Sequence, residues 1–179
     1  MLKKTPTKNS KQWGFTLIES MVVMIVGVMI LASSATGINK LFVANNVSTE
    51  SQNIQTIAEN MKVVASSEGG YGDINDLKTV ISLKVIPSNM KNDGIVVKNV
   101  WGGDINITTT NDTYTLSYPS VPVEECIQIV SKLRNASWNA LSAIAEGAGS
   151  ITITPKSTLY DIQLACGNNH KATLVFVGH

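Results

Sequence analysis

Met21 to Ala32 reads Met-Val-Val-Met-Ile-Val-Gly-Val-Met-Ile-Leu-Ala, a run with no polar side chain. A helix that is apolar on every side belongs in a protein core or a membrane. That run alone is too short to cross a bilayer, which takes about 20 residues. Extended back to Phe15 and forward to Ile38 it becomes long enough, and Glu19 then has to enter the membrane with it. A carboxylate near the bilayer centre costs on the order of 3 kcal/mol on insertion scales, so Glu19 marks a functional position.

The flank before this run is polar and basic. Lys3, Lys4, Lys8 and Lys11 lie within the first fourteen residues, which contain no acid. That asymmetry holds the N-terminus on the cytoplasmic side. It also hides the character of the rest, which carries ten basic against 13 acidic side chains despite a net charge of +1 overall. A nucleic-acid binder would carry its basic patch in the folded part, so that class is disfavoured. Two readings of the N-terminus compete. In one, an ordinary secretory signal has its apolar stretch at Met21–Leu31 and is cut at Ala32-Ser33-Ser34-Ala35, releasing a soluble binding protein or enzyme that begins at Thr36. In the other, the apolar segment is retained and the cut falls before it.

The second reading rests on Gly14-Phe15-Thr16-Leu17-Ile18-Glu19, set directly between the basic leader and the apolar helix. This sequence resembles the prepilin cleavage motif of bacterial type IV pilins. The resemblance implies that a membrane-embedded prepilin peptidase cuts between Gly14 and Phe15. It implies N-methylation of Phe15, and a role for Glu19, the fifth mature residue, in assembly. The expected organisation is a leader over 1–14, a transmembrane and assembly helix over 15–38, an amphipathic helix half over 39–67 and a globular head over 68–179. Gly27 and Gly37 flank Ser33-Ser34. Pilins resemble this in having a helix-breaking stretch in the N-terminal half, often with a proline that is lacking here. Local unwinding over Gly27–Gly37 in an assembled filament is expected, the alternative being glycines that allow close helix packing.

Beyond Ala35 the helical period continues. Ile38, Leu41 and Phe42 keep it, as do Ile54, Ile57, Ala58, Met61, Val64 and Ala65, with Asn45, Asn46, Ser48, Glu50 and Gln52 assigned to the other faces. Glu68-Gly69-Gly70-Tyr71-Gly72 ends the helix. A short helix follows, with Asp73 as N-cap, Asp76 in its first turn and Pro87 as its stop. Ile95-Val96-Val97 reads as a short strand and Trp101-Gly102-Gly103 as a turn. Asp104–Thr110 and Thr113–Tyr118 form a hairpin joined at Asn111-Asp112, and Pro119 and Pro122 bracket a loop. Pro122 to Asn135 reads as a helix with Glu124 and Glu125 at its N-terminus. Trp138–Ile144 extends it or forms a loop. Ser150–Thr154 is a strand, Leu159–Cys166 a short helix or an extended segment, and Lys171–Val177 a final strand too apolar for an edge. The fold class is α+β: a long N-terminal helix, its first half in the membrane, packed on an antiparallel β-sheet.

Cys126 and Cys166 form an even pair, which in an exported chain reads as one disulfide; buried free thiols are the alternative. A disulfide-bounded C-terminal region followed by a terminal strand also resembles pilins, as does an aromatic-Gly-Gly turn entering a strand. The elaborate segment between the cysteines resembles the type IVb branch, the PilS-like major pilins of conjugative and enteric thin pili; Phe15 as first mature residue is commoner in the IVa branch.

Chemistry is sparse. His170 and His179 lack partners at metal-ligand spacing, the cysteines lack C-x-x-C spacing, and no nucleophile elbow, P-loop or dinucleotide fingerprint occurs. Thr108-Thr109-Thr110 reads as strand surface. No catalytic residue, cofactor or metal is expected, and the chain is read as a non-enzyme. The resemblance implies a pilus subunit for adhesion, aggregation or mating contact. Its implied partners are identical subunits, the prepilin peptidase, the inner-membrane assembly machinery and, for the precursor, the membrane. It would stand in the inner membrane with a periplasmic head, then in an extracellular pilus. A minor pilin or a type II secretion pseudopilin is the alternative within this class, although Asp161, Asn168 and Asn169 make no convincing calcium loop.

Overall fold

The computed structural model describes residues 16–72, 74, 76–168 and 171–179. The leader, Gly14, Phe15, Asp73, Asn169 and His170 lie outside the described residues. Helix α1 (Leu17–Glu68) belongs to two compact units, divided after Leu41.

In the second unit, Phe42–His179, helix α1 turns one apolar stripe inward. Val47, Ile54, Ile57, Ala58 and Met61 are buried, and Val64 and Ala65 are half-buried against the same core. The i, i+3, i+4, i+7 spacing makes that stripe. Gly69 and Gly70 follow with positive φ, and the Gly70 amide bonds back to the Ala65 carbonyl at 2.9 Å. Left-handed backbone after a helix favours glycine, and it stops α1 where the sequence asks.

Asp76, expected within the first turn, is instead the N-cap in place of Asp73. Helix α2 (Leu77–Ser82) starts after it, the Asp76 carboxylate accepts from the Thr79 amide at 2.6 Å, and the helix closes at Leu83, before Pro87 is reached. Among the described residues seven strands form one antiparallel sheet: β1 (Lys91–Asn92), β2 (Val97–Lys98), β3 (Asp104–Thr109), β4 (Tyr114–Val121), β5 (Ala140–Ala145), β6 (Ser150–Ile153) and β7 (Ala172–Gly178). Their order is β1-β2-β3-β4-β7-β5-β6. The last strand thus sits between β4 and β5, as its apolar run requires. Along β4 and β7 burial alternates: Tyr114, Leu116 and Tyr118, then Ala172, Leu174 and Phe176, face the core. Helix α3 (Val123–Leu133) adds Cys126, Ile129, Val130 and Leu133 to that core, and α4 (Leu159–Cys166) adds Ile162, Ala165 and Cys166. Cys126 and Cys166 are joined as a disulfide with Cα atoms 5.9 Å apart.

Four further local differences from the sequence reading have physical causes. Trp138–Ile144 does not extend α3: residues 140–145 are strand β5, paired with both β6 and β7. Leu141, Ala143 and Ala145 alternate onto the core face, and that cross-strand packing overrides the helix preference of an alanine-rich segment. Within Ile95–Val97 only Val97 is strand, because the Asp93 carboxylate takes the Ile95 and Val96 amides at 3.0 and 2.7 Å in a side-chain-closed turn. β4 runs past Pro119 to Val121 through a register shift against β7, with Ser120 at φ 63°; a bulge absorbs the proline, which has no N–H to give the ladder. Finally, Glu50 is not on a polar face but buried.

The Trp101 turn is held by one buried side chain. Asn99 Oδ1 accepts from the Trp101 and Gly103 amides at 3.1 and 2.8 Å, and its Nδ2 donates to the Pro119 carbonyl at 2.6 Å. A Cβ at Gly103 would collide with that carbonyl, so the close approach of turn and strand needs glycine there.

Candidate functional site

The first unit, Met1–Leu41, exposes what the second buries. Leu17, Ile18, Met21, Val22, Val23 and Met24 are all exposed, as are Ile25, Val26 and Val28 to Leu31. The chain itself covers none of the most apolar stretch of α1, which is long and apolar enough to cross a membrane. Such a surface in water is unfavourable by about 25 cal/mol per Å², so another phase or another molecule must cover it.

Glu19 stands in the first turn of this segment and is exposed. The Thr16 hydroxyl accepts from the Glu19 amide at 3.4 Å, and the Ser20 amide bonds to the Thr16 carbonyl at 3.1 Å. Thr16 is thus placed as the N-cap, and the free amides of the first turn favour an acidic side chain beside them. Gly14 and Phe15 lie outside the described residues. α1 is helical through Gly27 and Gly37, and a Cβ at either would meet nothing within 4 Å. Packing within one chain therefore gives no reason for either glycine.

The second unit has a polar cluster that the sequence reading missed. Glu50 accepts from the Tyr118 hydroxyl, from the Val100 amide at 3.0 Å and from Asn53 Nδ2 at 3.3 Å. Asn53 Oδ1 accepts from Asn89 Nδ2 at 2.9 Å. One carboxylate so ties α1 to strand β4 and to the segment around β1 and β2. Burial, and after it the Glu50 charge, raises the Tyr118 phenol far above its ordinary range. The signal was present in the spacing: Val47, Glu50, Ser51, Ile54, Ile57 and Met61 all fall on the buried face. Charge alone assigned Glu50 to solvent.

The remaining expected positions have plain structural roles. Glu124 and Glu125 occupy the first turn of α3. The Thr109 hydroxyl donates to the Ile74 carbonyl at 2.6 Å. Asp161 completes a capping box with Thr158. Hydrogen bonds from Thr158 hold the Asp161 carboxyl below the usual carboxylate range. His179 lines a shallow surface depression with Lys62 and Tyr71. Among the described residues no cluster of His, Cys, Asp or Glu could hold a metal ion.

Three comparisons bear on this arrangement. The family described as "PilS N terminal" matches residues 44–179, and the prokaryotic N-terminal methylation motif matches residues 9–35. No curated protein matches the chain by sequence. Among solved structures, a type IV b pilin from Salmonella typhi aligns with a TM-score of 0.53 at 23% identity, covering 72% of this chain and 97% of that one. TcpA, a type IV pilin from Vibrio cholerae El Tor biotype, aligns with a TM-score of 0.53 at 15% identity, covering 75% and 99%. At these identities the two structures speak for the fold.

Proposed function

The chain belongs to the PilS family of type IV pilins, and from that premise we propose that it is the structural subunit of a pilus, polymerising through the first half of α1. Pilins are structural proteins, and the reading asks for no cofactor. The observation that carries it is the apolar surface of α1, left wholly uncovered by its own chain with one carboxylate at its start.

The proposed sequence of events follows from that surface. The precursor sits in the inner membrane by residues 15–38, with the leader 1–14 cytoplasmic and the head 68–179 periplasmic, joined through the helix half 39–67. Prepilin peptidase removes the leader between Gly14 and Phe15, and Phe15 is N-methylated. The α-amino group of Phe15 is then a cation at the membrane, and Glu19 of a neighbouring subunit is its partner. A buried ion pair adds little net stability, but an unpaired buried charge is strongly unfavourable. Glu19 would therefore fix the axial register of each incoming subunit, while many copies of Met21–Leu31 bury one another. The assembly machinery of the inner membrane delivers the subunits, and the product is an extracellular filament suited to adhesion, aggregation or mating contact.

The N-terminal sequence and intact mass of the protein from its native host test the processing step. A start at N-methylated Phe15 is expected; a start at Thr36 would mean that the apolar segment is discarded and the reading fails. Glu19→Ala tests the register step. Processing should survive and filaments should vanish from the cell surface by electron microscopy, whereas normal filaments would overturn the role given to Glu19.

A further inference from the structure

Residues 55–62 of α1 and the turn before β5 enclose a cleft of about 270 Å³. It falls just below the roughly 300–1,000 Å³ range of ligand sites, the size for one ring. Trp138 lines it and is held rigidly: its Nε1 donates to the Leu133 carbonyl at 3.1 Å, and its ring lies 4.9 Å from that of Phe176 at 52°. Ala58 leaves room, and Gln55, Glu59, Lys62 and Ser137 surround the opening as exposed polar groups. Tyr114 lies beneath the lining and is fully buried.

The lining has a definite chemistry. One carboxylate and one ammonium cancel, so neither an anion nor a cation is selected. Gln55 and Ser137 both donate and accept, Glu59 accepts and Lys62 donates. An aromatic ring adds an apolar platform with a negative face, suited to the polarised C–H face of a saturated ring. A neutral ring bearing several hydroxyls satisfies all of these at once. The geometry points to a saccharide-binding subsite on the pilin head, taking a single pyranose ring against Trp138 with its hydroxyls on Gln55, Glu59, Lys62 and Ser137.

The site lies within one chain, so its test is independent of polymerisation. Full-length protein in dodecylphosphocholine micelles, a detergent without sugar, is titrated with the methyl pyranosides of glucose, galactose and N-acetylglucosamine. Binding is read by saturation-transfer NMR. At least one should bind saturably at millimolar concentration, with the strongest transfer to ring C–H protons. Trp138→Leu should abolish that signal. Because Trp138 also packs on Phe176, the exposed variants Gln55→Ala and Glu59→Ala carry the test: each should weaken binding by about fivefold or more with an unchanged Tm. No saturable transfer from any of the three sugars, or affinities that both exposed variants leave intact, would overturn the proposal.

Discussion

At the scale of single residues, Glu50 has the largest expected effect on the head. Removing it leaves the fully buried Tyr118 hydroxyl without its acceptor and frees the Val100 amide. Glu50→Ala should lower stability by about 3 kcal/mol, since each buried group left unsatisfied costs about 1–3 kcal/mol. Glu50→Gln, which keeps an acceptor, should cost less. Denaturant unfolding of both variants in micelles measures the difference. The neighbouring phenols set the alkaline limit. Burial raises Tyr118 and Tyr114 above the ordinary value of 10.0, helped by Glu50 in one case and Tyr71 in the other. The folded protein therefore keeps protons that the unfolded chain releases above pH 10. This contribution is intact below pH 10 and is lost as pH rises from there toward the folded values, so Tm should fall on that side. A Tm that is flat from pH 9 to 11 would contradict the burial of these phenols.

Secondary-structure elements differ in how much of their cause is local. Helix α4 carries its own signal: Thr158 accepts from the Asp161 amide at 3.2 Å, and the Asp161 carboxylate accepts from the Thr158 amide at 2.7 Å. That reciprocal cap selects the helix over the extended alternative that the apolar pattern leaves open. Thr158→Ala should cost about 1 kcal/mol and raise the hydrogen-exchange rates of the α4 amides before those of β7. Hydrogen bonds lower the Asp161 carboxyl in the folded state. Its support for the cap is present above about pH 4 and is lost as pH falls through the lower folded value, so α4 should loosen first in acid. Strand β5 has no comparable local signal. Its alternation becomes meaningful only when β6 and β7 stand on either side of it. Proline bracketing of a loop at 119–122 misleads for a related reason, because a bulge lets β4 continue through Pro119.

For the whole molecule, the disulfide closes the last third of the chain across α3 and α4, a separation of 40 residues. In the chain-entropy model this stabilises by roughly 4 kcal/mol. Replacing both cysteines by serine should lower the Tm of the head sharply and raise its susceptibility to proteolysis, while leaving the α1 segment as apolar as before. The sequence by itself determined the two properties that depend on neighbours along the chain. These are an uncovered apolar helix with a carboxylate at its first turn, and the amphipathic stripe that succeeds it up to the glycines at 69 and 70. Helical period and membrane length are local quantities, so they were legible residue by residue; capping was less so, since Asp73 was the expected cap of α2 and Asp76 takes that place. Only the tertiary structure decided which polar groups would be buried and which ambiguous segments would be strands. Glu50 is stable inside because Tyr118, 68 residues away, brings it a hydroxyl, and residues 140–145 are extended because β7 offers them a partner. Those choices rest on contacts between residues far apart in sequence, and local propensity has no access to them.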